Sequence, residues 1–212
     1  MPRSTGRRLR TQRWARPLLL VVVFFGLLVS FVLLGQPARH DDLFHWDAET
    51  WFFFHRHEEA GYGTAYDRAA NFIVYRGGSL ATLLLGLVIL AILLWLRRTR
   101  ESLFLVATGV LVLAVTPLLK EYFERSELDY SFPSGHAARS GALAAAAIVI
   151  AWPTRLRWPT LVVGTLYAAA VGVSLVYEDW HLPSDVLGGW CLGIMCAEVA
   201  WLVTLARQRR SD

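Results

Sequence analysis

Two short stretches of this chain carry residue types suited to phosphoryl chemistry. One is Ser131-Phe132-Pro133-Ser134-Gly135-His136, and the other is Trp180-His181-Leu182-Pro183-Ser184-Asp185. Each sets a histidine and a proline at the start of an apolar run. Proline suits the first helical position, because the N–H it lacks would be unpaired there anyway, so each stretch is expected to open a helix. The N–H groups of Ser134, Gly135 and His136 then point out of a helix end that carries partial positive charge and favours anions. Gly135 has no side chain to hold an anion away from the backbone. His181 and Asp185 are four residues apart, which brings them to nearly the same face of a helix start. A carboxylate on one imidazole nitrogen fixes the tautomer and leaves the other nitrogen free as a nucleophile. His136 can act as acid or base, and Ser134 adds a hydroxyl donor. The two stretches are expected to meet and hold a phosphoryl group between two histidines.

Three cations lie near these stretches. Lys120 is the single lysine among 21 Lys and Arg residues. It and Arg125 can supply positive charge to phosphoryl oxygens, or can simply anchor a helix end at the membrane interface. Arg139 follows His136 by one helical turn, and an arginine just inside an apolar helix is a functional candidate by default. Pairing of Arg139 with Glu178 or Asp179 is the competing reading, and for His136 it is a plain capping role. A zinc site built from His136, His181 and Asp185 would leave Lys120 without a role. His40, His45, His55 and His57 fall in a polar segment where Arg56 separates two of the candidate ligands, so these read as surface histidines. No metal or other cofactor is expected. Cys191 and Cys196 lie five apart in one apolar run, face different sides of a helix and read as small apolar residues.

The elements that must position these groups are membrane helices. The chain has 212 residues, of which 55% are hydrophobic. Its apolar residues come in blocks of about 16 to 20 with at most one charge each, close to the length a helix needs to cross a bilayer. Six such runs are expected: Leu18–Leu34, Leu80–Leu96, Leu103–Leu119, Ala137–Trp152, Leu161–Tyr177 and Val186–Leu205. A basic start before an apolar core also fits a cleaved signal peptide, but the first run is long for one and an uncleaved helix is preferred. Residues 36–76 mix Asp and Glu with Trp46, Trp51, Phe52, Phe53 and Phe54, which suggests an external amphipathic helical segment in the headgroup region.

Residues 1–16, the 97–101 turn, the 153–158 turn and residues 207–212 are basic. The positive-inside rule therefore puts both termini in the cytoplasm. Both histidine stretches then emerge on the opposite, extracytoplasmic side of the cell membrane. The net charge of +4 reports mainly these arginine-rich loops, and nucleic acid is not an expected partner. Gly189 and Gly193 are spaced to let another helix pack closely on the last run. The expectation is an all-α polytopic protein: a basic N-terminal stretch, one six-helix domain over residues 17–206, and a short cytoplasmic tail.

The order of Lys and Arg, then Pro-Ser-Gly-His, then His-x-x-x-Asp before a Gly-Gly helix resembles the type-2 phosphatidic-acid phosphatase (PAP2) superfamily over roughly residues 41–206. That resemblance implies a six-helix membrane enzyme hydrolysing lipid phosphates or diphosphates without a metal. It implies that His181 attacks phosphorus to form phosphohistidine, that Asp185 orients His181, and that His136 protonates the leaving oxygen. It also implies that Lys120, Ser134 and Gly135 bind the phosphoryl oxygens. Two of the family's arginines are missing: Glu127 and Leu128 stand where its first motif has Arg-Pro, and Ser174-Leu175 stands where its third begins Ser-Arg. Arg125 and Arg139 are the candidate replacements. Phosphotransfer to a lipid or sugar hydroxyl, and binding of a lipid phosphate without turnover, are the alternatives.

Overall fold

The computed structural model describes residues 5–40, 42–55, 65–123 and 131–206. Its elements are α1 (Thr5–Arg39), α2 (His45–His55), α3 (Ala65–Asn71), α4 (Thr82–Trp95), α5 (Thr99–Tyr122), α6 (Gly135–Ala151), α7 (Arg157–Tyr177) and α8 (Pro183–Trp201). A π-helical stretch, Phe72–Ala81, joins α3 to α4, and a second, Leu202–Ala206, extends α8. There is no strand among the described residues. Five segments are long and apolar enough to cross a membrane: Leu18–Arg39, Gly78–Trp95, Thr99–Tyr122, Arg157–Tyr177 and Pro183–Thr204. α6 is also apolar but shorter.

These helices coincide with the six expected runs to within a few residues, apart from the first. α1 begins within the basic stretch and continues past Leu34 to Arg39. Residues 36–76 differ more from expectation. They supply the end of α1, two separate short helices and part of the π-helical stretch. Asp47 of α2 is fully buried, although Phe52 and Phe53 of the same helix are exposed.

The centre of the molecule is α6 against α8, with α5 and α7 packed on both and α1 along α8. Alanine and glycine explain the central pair. A Cβ at Gly189 would lie 2.6 Å from the Ser134 carbonyl oxygen and 2.8 Å from Ala137 Cβ. A Cβ at Gly193 would lie 2.3 Å from the Ala138 oxygen and 2.6 Å from the Ala142 nitrogen. The two backbones therefore touch directly, the close approach that small residues allow between membrane helices. Next to Gly189 on the histidine side, Gly188 leaves room for the ring of Phe132, which is fully buried. Phe132 packs with Phe31 of α1 and Phe123, at ring-centroid distances of 5.1 and 5.0 Å.

A methyl group at Gly193 must push backbone from backbone, whereas Gly109 on α5 has nothing within 4 Å of an added Cβ. Gly193→Ala is expected to cost about 1–3 kcal/mol as overpacking. Gly109→Ala is expected to be neutral or stabilising, since alanine is the better helix former. Thermal unfolding of the detergent-purified variants checks this, and equal midpoints would show that the α6–α8 contact is not limiting.

Candidate active site

The two histidine stretches meet at the N-terminal ends of α6 and α8. The backbone N–H of Ser134 donates to the carbonyl oxygen of Asp185 at 3.0 Å, which ties one stretch to the other. This bond also corrects the expected helix start. α6 begins at Gly135, with Ser134 as its N-cap and Pro133 outside the helix. The Ser134 hydroxyl oxygen accepts the Ala137 N–H at 3.4 Å, a serine N-cap in its usual role. The capping residue is thus Ser134 and not His136. The N–H groups of Gly135 and His136 have no acceptor among the described residues, so two donors, and not three, face outward from this helix end.

α8 starts as expected, with Pro183 in its first turn after the N-cap Leu182. Asp185 is fully buried, and its Oδ2 accepts the Leu182 N–H at 3.1 Å. The same oxygen lies 3.7 Å from His181 Nδ1. That is an electrostatic approach, longer than a hydrogen bond. It turns the Nδ1 edge of the ring toward the carboxylate and leaves Nε2 as the free end. His181 itself is buried.

The loop that carries His181 leaves α7 through Asp179, whose φ of 58° lies in the left-handed region. The N–H groups of Trp180 and His181 both reach back to the Leu175 oxygen, at 2.9 and 3.3 Å. This is the way helices commonly end, with a left-handed residue and bonds back to the last carbonyls.

Lys120 and Arg139 converge on the start of α6. A Cβ added at Gly135 would lie 3.7 Å from an Arg139 guanidinium nitrogen and 3.9 Å from Lys120 Cε. Neither cation is matched by a carboxylate in direct contact among the described residues. Lys120 donates to the Ser131 hydroxyl at 2.8 Å, and Arg139 donates to the Ser79 hydroxyl at 2.8 Å. Arg139 therefore does not pair with Glu178 or Asp179, and its Nε is buried without a partner. Lys120, Arg139 and His181 all stand within electrostatic reach of His136. The His136 ring rests against Gly78, where a Cβ would come within 2.7 Å of its Cδ2, and its edge contacts Trp180 at a centroid distance of 5.8 Å.

The structure thus brings together His136, His181, Asp185, Lys120, Ser134, Gly135 and Arg139. Arg125, Glu127 and Leu128 lie outside the described residues. Leu175, at the second missing arginine, is fully buried in an apolar cluster with Val74, Ala137, Val171 and Val186. No group of three metal-ligating side chains occurs among the described residues. Sequence reasoning missed Gly78, Ser79 and Asp47. The first two follow an undistinguished helix in a region without a motif. Asp47 accepts the Ser184 N–H at 2.9 Å, and its spacing of four from Trp51 was the available signal that both share one helix face.

A family model described as the PAP2 superfamily matches residues 111–209. Phosphatidylglycerophosphatase B of Bacillus subtilis (strain 168) is 30% identical over 140 residues, covering 58% of this chain and 68% of the relative. An undecaprenyl-diphosphatase of Sulfolobus acidocaldarius is 34% identical over 88 residues, covering 42% of this chain and 37% of that protein. The crystal structure of a transmembrane PAP2-type phosphatidylglycerolphosphate phosphatase from Bacillus subtilis superposes with a TM-score of 0.67 at 21% identity. That superposition covers 90% of this chain and 98% of the other, and it shows a shared fold.

The space in front of Gly135 is the point on which two cations and two free N–H groups converge. A methyl there makes contacts of 3.6 to 3.9 Å, ordinary packing distances, so Gly135→Ala is expected to fold with an unchanged unfolding midpoint. It is expected to weaken binding of inorganic phosphate about tenfold, equivalent to ~1.4 kcal/mol. Equilibrium dialysis with labelled phosphate measures this, and an unchanged affinity would put the anion elsewhere.

Proposed function

The chain belongs to the PAP2 superfamily, and we propose that it is an integral membrane phosphatase that hydrolyses a lipid phosphate or diphosphate. The observation that carries this reading is the convergence of Lys120, Arg139 and the α6 N-terminus beside His136 and His181. Donors fixed in place before the reaction stabilise a transferring phosphoryl group without a metal. The relatives whose names specify lipid phosphates and diphosphates support the substrate class.

In the proposed cycle His181 Nε2 attacks phosphorus as the bond from phosphorus to the lipid oxygen breaks. His136 gives its proton to the departing oxygen, which is an alcohol or, from a diphosphate, a lipid monophosphate. Water then attacks the phosphohistidine, losing its proton to His136, and phosphate departs as the phosphorus–nitrogen bond breaks. Asp185 stabilises the charge that develops on the His181 ring and holds its Nδ1 edge. The Gly135 and His136 N–H groups, the Ser134 hydroxyl proton, Lys120 and Arg139 receive the phosphoryl oxygens.

Arg139 takes the part of a missing family arginine. Leu175 supports this, because its buried apolar surroundings would not accept a guanidinium, so the charge must come from another helix. Arg125 is the second proposed replacement.

The five long apolar helices together with α6 make six crossings in this reading. Both termini are cytoplasmic, and the site opens at the extracytoplasmic face, because the basic turns fall at the other ends of the helices. Exposed Phe52 and Phe53 on α2 lie near the interface and help to bring the lipid headgroup to the site.

Phosphate release from a panel of lipid phosphates and diphosphates tests the proposal. The wild-type protein is expected to turn over at least one of them, and His181→Ala to turn over none. Arg139→Ala is expected to lose about 100- to 1,000-fold in kcat, the usual effect of removing one oxyanion donor. No release by the wild type would overturn the phosphatase reading, and a full rate in a well-expressed Arg139→Ala protein would overturn the part given to Arg139.

A further inference from the structure

The loop that carries His181 is held from several parts of the chain. It runs from Glu178 to Leu182, and its Trp180 and His181 N–H groups share one acceptor at the end of α7. The Leu182 N–H is bonded to Asp185 and the Trp180 ring touches His136, and further anchors come from more than a hundred residues away in sequence, in a region that the family match at 111–209 does not include. Hydrogen bonds reach the loop and its flanks from α2 and α3. Asp67 accepts from the Tyr177 hydroxyl. Asn71 donates to Glu178 at 3.2 Å. Trp51 Nε1 donates to Asp179 at 2.9 Å. Asp47 Oδ1 accepts the Ser184 N–H at 2.9 Å.

The last of these stands apart from the others. Tyr177, Glu178 and Asp179 precede His181, and their partners hold only that side. Asp47 reaches the far side, at the residue next to Asp185, whose carbonyl oxygen the Ser134 N–H also holds. It is fully buried, as are Ser184 and Asp185. Asp47 and Trp51 lie one turn apart on α2, so a single helix face holds both ends of the His181 loop. A second carboxylate at this helix end suits the helix dipole, but it repels an anion bound beside it. The bond to Ser184 gives Asp47 a geometric task. The Ser184 N–H is one of the helix-start donors that needs a partner, and an acceptor fixed on another element sets where α8 begins relative to the rest of the site.

We propose that Asp47 is a positioning residue for the His181–Asp185 pair, acting through the Ser184 backbone from outside the catalytic segment. Its effect on turnover rests on the phosphatase reading, and its effect on the loop does not. Because the role is geometric, an amide oxygen can replace the carboxylate oxygen as acceptor of the Ser184 N–H.

The test compares wild type, Asp47→Ala and Asp47→Asn in detergent or nanodiscs by two measurements. Hydrogen exchange is followed in the peptide spanning residues 178–186, and phosphate release is followed on the best lipid substrate. Asp47→Ala is expected to exchange at least tenfold faster in that peptide. Its kcat is expected to fall about 100-fold, the scale of a misplacement of about 1 Å in a reacting group, with KM within twofold of wild type. Asp47→Asn is expected to keep wild-type protection and wild-type kcat. Wild-type exchange and rate in Asp47→Ala would overturn the proposal. So would faster exchange with an unchanged kcat, since Asp47 would then cap α8 without placing His181. An Asp47→Asn protein as impaired as Asp47→Ala would show that the charge and not the geometry matters, and would overturn it too. If the wild type releases no phosphate from any lipid, the phosphatase reading fails instead, and the exchange comparison alone decides whether Asp47 holds the loop.

Discussion

The site exists because two helices touch backbone to backbone. Gly189 and Gly193 of α8 lie against Ser134, Ala138 and Ala142 of α6 with no room for a side chain between them. At the end of this seam the Ser134 N–H is bonded to the Asp185 carbonyl. A wider spacing would break that bond and separate the two histidines, which come from loops some 45 residues apart in the sequence. The seam cannot slide easily either, since Phe132 is seated over Gly188 and held on its other sides by Phe31 and Phe123. Interiors packed in this way have discrete arrangements and resist gradual deformation.

Bringing two helix starts together has an electrostatic consequence. Each N-terminus carries roughly half a positive charge, and Lys120 and Arg139 add two full charges beside the first. In water such a cluster would simply be hydrated. Here Ser131 and Ser79, both neutral, hold the two cations. A hydroxyl directs a cation without cancelling its charge, so the field in front of Gly135 stays positive. Carboxylates in the same region are turned to other tasks: Asp185 faces Leu182 and His181, and Asp47 faces Ser184. In the proposed reading the arrangement separates groups that bind an anion from groups that fix geometry, although both are charged and lie within one small volume.

Much of this was legible in the sequence. The apolar runs, the paired motifs and the small residues of α8 each report a local physical demand, and such demands leave a local signature. Pro183 opens α8 as its type predicts. Pro133 does not open α6, where Ser134 is the cap, although Pro183-Ser184 has the same order and there the proline opens the helix. The part played by α2 was not legible. An acid among aromatics reads as an interfacial helix, and Phe52 and Phe53 on its exposed face fit that reading. The opposite face carries Asp47 and Trp51, and their partners are a backbone N–H and an aspartate more than a hundred residues away. No local pattern encodes a long-range partner of that kind. Ser79 and Gly78 were missed for the same reason, since their importance lies wholly in Arg139 and His136.

The division between the two parts of the chain follows from what each must do. Chemistry needs particular residue types at particular spacings, and these collect in the motifs near α6 and α8. Support needs only an acceptor, a donor or an absent side chain at the right point in space. An aspartate in α2, an asparagine in α3 and a glycine in the π-helical stretch all meet that need, and other residue types on other elements could meet it equally well. The family match accordingly takes in the motifs near α6 and α8 and does not reach α2 or α3. The His181 loop makes the dependence plain. Its backbone N–H groups are bonded to the end of α7 and to Asp185, and bonds from α2 and α3 reach both sides of His181, so the position of His181 depends on both parts of the chain.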